Sequence, residues 1–507
     1  MEDIEIKGSH AHGHVKAVLA AIDKLGIRDL ISPIRSHYSD LLIAMLVSRI
    51  LWPESKFHSS QNWKFSSLDE MLHIKDANDD DFYEAMDWFY EQQLEIVETE
   101  LLDRHKKPAD PATLYLSQCD FIEDQYLETH EGGAIEIEES IFYAVLTDQL
   151  GCPYYITYFK GDQLNTRVLL STIERLKEQY RFPSFLLVMD ENLISQKKFN
   201  ILKEKLNANK LAVDVSWIAA LSYAKIKKLV DNQQINPSTL EENKPLMIQH
   251  ADFDNEKLVA HRNQKLAIRY QKDRGSLLKI TSDKLNELKR KVAQGRLNGD
   301  VRISESADRV IKKYKMTGCF NKEIYDNEFH FSIKQDKVDE NKALDGLSLI
   351  RIFSNHTTLL PEYAVRHYVR HQRIKGKFQP VRILKLEKLR EESIKTHLCI
   401  CLLANYVRWH MEKAWKPLLS VKKDPLINVN KPADSIDINQ QEHNTQHLNV
   451  SNKLNFQLLL SSLATITRYS HENQNGAANG DPIIVDAQYT PMQSEAFNLL
   501  KKIKKYR

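Results

Sequence analysis

The sequence predicts an α/β protein, with a mixed sheet in the middle of the chain and helices at both ends. Three observations carry that prediction. Apolar residues recur at helical spacing through residues 14–100. After the break "KKPADPAT", short runs rich in aromatic and β-branched residues take over. The stretch "FLLVMD" (185–190) is an unbroken apolar run ending on an acid, the form of a strand buried on both faces.

In chain order, "HVKAVLAAIDKLG" and "SDLLIAMLVSRIL" read as helices, and "DDDFYEAMDWFYEQQLEIVETELL" opens with the acids that suit a helix N-terminus. "TLYLSQ" (113–118) is the first strand; Asp120 and Glu123 fall past its expected end. "IFYAVLT" (141–147), the turn "DQLG" and "PYYITYF" (153–159) form a hairpin. Helix "NTRVLLSTIERLKEQY", strand 185–190, helix "SQKKFNILKEKLN" and strand "VSWIAAL" (215–221) complete the order βββαβαβ. That order lacks the Gly-rich turn of a dinucleotide fold. Residues 226–345 read as an insertion with its own small sheet ("KLVAHR", "EFHFSI") around a long charged helix. "DGLSLIRIF" (345–353) returns to strand character, followed by the apolar helix "THLCICLLANYVRWHMEKAW". A polar stretch at 422–450 reads as a linker before two terminal helices, "NFQLLLSSLATITRY" and "TPMQSEAFNLLKKIKKYR". The expected domains are 1–108, helical; 109–225, first part of the sheet core; 226–345, insertion; 346–421, last core strand and helices; and 422–507, linker and C-terminal helices.

Composition narrows the function. Lys and Arg number 71 against 69 Asp and Glu, so a nucleic-acid partner would have to show in local charge. Five cysteines with no CxxC pair argue against a disulfide framework and fit a reducing cytoplasm. The longest apolar runs fall short of the ~18 residues of a membrane span, and no leader pattern opens the chain. A soluble, cytoplasmic protein with no membrane partner is expected.

Local charge does show at "YAVRHYVRHQRIKGK" (363–377), which holds seven Lys, Arg and His residues and no carboxylate. In a helix, Tyr363, Arg366, Arg370 and Lys377 form one stripe, at about 0°, 300°, 340° and 320°. From Arg366 to Arg390 nine Lys and Arg face one acid, Glu387. A solvated charged face is the plain reading of such a run, and a phosphate-binding surface the sharper one.

The spacing Tyr363-(2)-Arg366-(3)-Arg370-(6)-Lys377 resembles the Tyr-Arg-Glu-Lys signature of the insertion-sequence-four superfamily of bacterial DDE transposases. "GSHAHGHVKAVL", "DDDFYEAMDW", "VLTDQLGCP", "VMDENLISQKKF", "ALDGLSLIRIF", "LLANYVRWHM" and "TPMQSEAFNLL" extend the resemblance over nearly the whole chain. It implies an RNase H-like core interrupted by a β-containing insertion and a helical, DNA-binding N-terminal domain. It also implies double-stranded DNA at an element's terminal inverted repeats as partner, a dimer as working form, and a nucleoid-associated place in a bacterial cytoplasm. Two aspartates and a glutamate would hold Mg²⁺ or Mn²⁺ for in-line phosphoryl displacement.

Carried over residue by residue, the acids match unevenly. Asp190 matches the second acid and is the candidate metal ligand. Leu116 stands at the first position and Arg370 at the third; His371 and Gln372, beside Arg370, supply no carboxylate either. A cation at the third position would repel Mg²⁺. Tyr363, Arg366 and Lys377 are the family's remaining catalytic-site positions, and Arg366, Arg370, Arg373, Lys375, Lys377 and Arg382 are the expected DNA contacts. The reading that results is a transposase-type DNA-binding protein with impaired strand-cleavage chemistry, needing no cofactor. Two others stand beside it: an active enzyme recruiting Asp120 or Glu123 and a distant carboxylate, and a scaffold protein that no longer binds DNA.

Other residues have plainer explanations. Asp190 at a strand end is also a common helix cap. His10, His12 and His14 alternate as metal ligands would in an extended segment, without a second ligand cluster. Cys399 and Cys401 on an apolar helix, and the six tryptophans, read as core.

Overall fold

The computed structural model describes residues 6–53, 60–75, 77–105, 111–122, 127–128, 134–135, 138–159, 165–194, 197, 200–202, 204, 214–241, 244–253, 256–354, 359–378, 390–419, 455–471 and 483–505. The chain divides into two units. The first comprises Met1–Met189, Leu193–Ser216 and Val369–Arg507, and the second Asp190–Asn192 and Trp217–Tyr368. Each combines helices with β-structure, so the protein is mixed α/β. Among the described residues no helix is long and apolar enough to cross a membrane.

The first unit opens with helices whose starts are written in the sequence. Ser36 and Ser39 bond each other's backbone N–H at the head of His37–Leu51, and Asn78 and Asp81 do the same for Asp79–Gln92. Every residue from Ser39 to Ser48 is buried. The helix Glu391–Ala414 packs against both of these helices and against the strand Pro153–Phe159. That accounts for its apolar character all round, because a helix covered on every side has no face to give to water.

Four strands of this unit lie in the order Pro153–Phe159, Glu138–Thr147, Ala112–Ile122, Ser184–Asp190. The first three form an antiparallel meander, and Ala112–Tyr115 runs parallel to Phe185–Val188. The hairpin turn closes at Gly151, whose φ of +88° suits glycine, while the Asp148 carboxylate accepts the Cys152 N–H at 2.8 Å. The strand Ala112–Ile122 runs past its expected end, so Asp120 lies within it, paired with Ser140. The helix expected at "SQKKFNILKEKLN" falls mostly outside the described residues, as do Glu123 and the 422–450 linker.

The chain ends meet in a small antiparallel sheet that the sequence did not announce. Ile6–Ala11 pairs with Thr467–His471, which pairs with Ile483–Asp486. This corrects the expected helix "NFQLLLSSLATITRY": it stops at Ala464 and the chain continues as strand. Thr490 and Pro491 start the final helix, Pro491–Leu500, as expected.

In the second unit the strands run in the order Asp214–Ala220, Leu347–Phe353, Lys257–Arg262, Leu246–Ile248, each pair antiparallel. Trp217 stacks on Phe353 at 4.0 Å, fully buried, a contact worth ~1 kcal/mol beyond its area. Here too one expectation is corrected. "KLVAHR" does not belong to a separate small sheet but pairs with "LSLIRIF", burying Leu258, Val259 and Ala260. The separate β-structure is the hairpin Phe320–Tyr325 and Glu328–Ile333, turned by Asp326 and Asn327, both at positive φ. With the helices Gln264–Ala293 and Asp300–Lys313 it encloses its own core of Leu285, Ile303, Ile311, Phe320 and Phe329.

Candidate functional site

The helix Pro361–Lys377 carries most of the expected site residues, and its C-terminal part belongs to the first unit. Leu116, at the first acid's position, is buried in the strand Ala112–Ile122, with only 1% of its surface exposed. His371, fully buried, lies 2.7 Å through Nε2 from the Leu116 carbonyl oxygen and 3.0 Å from the Ser117 hydroxyl. A carbonyl only accepts, so Nε2 carries the proton. The ring lies near-parallel to Tyr115 at 6.4 Å. Arg370, one residue earlier, packs on Gly151: a Cβ built there would stand 2.8 Å from its Nε.

The His371 bond therefore brings the helix Pro361–Lys377 against the strand at Leu116, and the residues at the expected acid positions are a leucine and, beside His371, an arginine. None offers the hard anionic oxygens that Mg²⁺ takes. The backbone of Asp120 lies four residues further along the same strand, ~13 Å from Leu116.

Asp190 belongs to the second unit and ends the strand Ser184–Asp190, half-buried. Its charge reaches Tyr368: burial raises that phenol's pKa, and the Asp190 carboxylate raises it further. The next residue is held more firmly. Glu191, buried, accepts the Ser222 N–H at 2.9 Å and the Lys225 ammonium at 3.0 Å, and lies 3.8 Å from Arg351. Arg351 is itself bound at 2.6 and 2.8 Å by both oxygens of Glu256. A buried ion network therefore fixes the backbone beside Asp190. On the helix, Tyr363 packs on His367 with ring centroids 4.2 Å apart, and Arg366 is half-buried.

Two cations of the basic segment, Lys377 and Arg390, are matched by carboxylates inside the first unit. Lys377 donates to Glu412 at 3.0 Å, and Glu412 also accepts from Arg408 at 2.8 Å. Burial alone would raise the Glu412 carboxyl, but the two cations outweigh it and hold the pKa below the ordinary value. Arg390 is bound by both oxygens of Asp87. Of the expected phosphate contacts, Arg373 is exposed and Lys375 half-buried, while Arg382 lies outside the described residues.

Two of the N-terminal histidines make contacts within the first unit. His12 sits between Ser67 at 2.7 Å and Arg468 at 3.0 Å, and His14 lies edge-on to Trp52. Among the described residues the one His/Cys/Asp/Glu group with metal-ligand spacing is elsewhere: His105, Cys152 and His410. Sequence reading missed it because its members come from a helix end, a hairpin and a second helix, with no short spacing to announce them. Compared with known proteins, the chain matches no protein-family model and no curated protein.

Proposed function

We propose that this protein is a double-stranded-DNA-binding relative of the insertion-sequence-four transposases that has lost metal-dependent strand cleavage. The observation that carries the reading is the His371 bond to the Leu116 carbonyl, beside Arg370 on Gly151. Where the family would hold a divalent ion with a pair of carboxylates, this chain has an imidazole bonded to a backbone oxygen and a guanidinium. The antiparallel meander with a parallel fourth strand supports an RNase H-like core, and the spacing of Tyr363, Arg366 and Lys377 supports the family. A single carboxylate from Asp190 would bind Mg²⁺ weakly, since that ion takes several hard oxygen ligands. The DNA contacts fall to Arg366, Arg373 and Lys375, with Arg382 beyond the helix.

The test is a gel-shift titration on duplex DNA over a range of salt. A backbone binder neutralising six to ten phosphates weakens ~10³–10⁵-fold between 50 and 200 mM salt. Arg373→Ala and Lys375→Ala should each lower the log–log slope by about one, uniformly across DNA sequences. Absence of any salt-dependent binding would replace this reading with that of a scaffold protein.

A further inference from the structure

We propose that His105, Cys152 and His410 form a transition-metal site, with Zn²⁺ as its natural occupant. One ligand atom from each lies within 4.8 Å of the other two, and the Cys152 sulfur is 3.8 Å from His410 Nε2. All three belong to the first unit. They are delivered by rigid elements: the last turn of Leu94–His105, the closing residue of the Gly151 turn, and the buried helix Glu391–Ala414. Two imidazoles and a sulfur are the donor set that selects Zn²⁺ over Mg²⁺ or Ca²⁺. Tetrahedral bonds of ~2.0–2.3 Å place ligand atoms ~3.5 Å apart, so binding needs only a small closure.

The surroundings are those of a ligand site. His105 Nε2 lies 3.0 Å from the Tyr406 hydroxyl, and Nδ1 is 3.9 Å from an Asp148 oxygen, beyond hydrogen-bond reach. With Nδ1 turned to the metal, the Tyr406 hydroxyl orients the ring. Asp148 also holds the Cys152 backbone N–H. A cavity of about 430 Å³, lined by His105, His410, Asp148, Tyr154, Trp409 and Lys413, opens on the two imidazoles, with Cys152 buried behind them.

Burial acts in opposite senses on the imidazoles and the thiol. Burial lowers the pKa of both imidazoles, His105 below its ordinary value and His410 down to about 3, and so favours the neutral form that binds metal. Burial also raises the Cys152 thiol, with the Asp148 charge adding to it. On binding, the S–H bond breaks, the S–Zn bond forms, and the proton leaves to solvent. Affinity should therefore rise with pH.

The experiment uses the full chain, purified, stripped with a chelator and titrated with Co²⁺ as a spectroscopic stand-in. The proposal expects a thiolate-to-cobalt charge-transfer band and tetrahedral d–d bands saturating at one ion per chain, both bleached by equimolar Zn²⁺. Cys152→Ser should abolish the charge-transfer band, while Cys319→Ser, in the other unit, should leave it intact. If Cys152→Ser fails to fold, His410→Gln and His105→Gln serve instead, each expected to weaken binding and shift the d–d bands. A folded wild-type chain without the band, or a band that survives Cys152→Ser, would reduce the cluster to buried polar packing and overturn the proposal.

Discussion

Replacing Arg351 by methionine should be among the most damaging single changes in the second unit. The guanidinium is 1% exposed and forks onto Glu256, whose side chain is wholly buried, at 2.6 and 2.8 Å, with its carbon 5.0 Å above the Phe253 ring. Methionine keeps most of the volume but strands the Glu256 carboxylate in a site that excludes water. Removing one partner of a buried pair costs ~3–5 kcal/mol. Glu191 adds little to that figure, because Lys225 and the Ser222 N–H still hold it. Urea unfolding, followed through the transition that reports the Trp217–Phe353 stack, would give the cost. Arg351→Met with Glu256→Leu removes both charges together, and should recover at least ~2 kcal/mol relative to the sum of the single changes. A single-variant cost below ~1 kcal/mol, or strict additivity, would refute the view that this network is a coupled buried unit bracing the backbone next to Asp190.

Three further outcomes follow from the same kind of accounting. Glu412→Gln leaves Lys377 and Arg408 facing each other without a counter-charge; since both are roughly a quarter exposed, the expected loss is ~1–3 kcal/mol by denaturant midpoint. Gly151→Ala must place alanine at φ +88° and push Arg370 aside, so thermal unfolding should report a loss of ~1–2 kcal/mol, most of it from the backbone. His12 is held neutral, its pKa lowered to about 4 first by burial and then by Arg468. A depressed folded-state pKa means the contribution is complete above pH ~6.5 and is lost as pH falls towards 4. His12→Asn should therefore flatten the stability profile in that window by about one proton, or ~1.4 kcal/mol per pH unit; an unchanged slope would show that His12 is not the titrating group.

The strand segments 113–118, 141–147, 153–159 and 185–190 were legible because their burial is written locally, as apolar runs closed by turn residues, while the first two run on beyond those bounds. Helix starts were equally local, since Asn165 and Thr490 are short side chains that bond the first free N–H groups. What escaped depends on partners far apart. Val259 pairs with Ile350 across the whole inserted region, and nothing in "KLVAHR" distinguishes that neighbour from a nearer one. The terminal sheet joins Ser9 to Tyr469 through strands too polar to stand out. In the site, Leu116 and Arg370 were legible only as residue types. That His371 would donate to the Leu116 carbonyl was not, because a bond between an imidazole and a backbone oxygen 255 residues away leaves no pattern. The same holds for Lys377, whose charge looked available until Glu412 was found beside it.

The most direct test of the central claim is nicking of supercoiled plasmid DNA in Mn²⁺ and then Mg²⁺, with wild-type protein and Asp190→Ala run beside each other and binding read by gel shift in the same reactions. The account predicts shifted DNA that stays supercoiled with both proteins. Nicking by the wild type that Asp190→Ala abolishes would mean that Asp190 has found other carboxylates, and that the chain is a working nuclease.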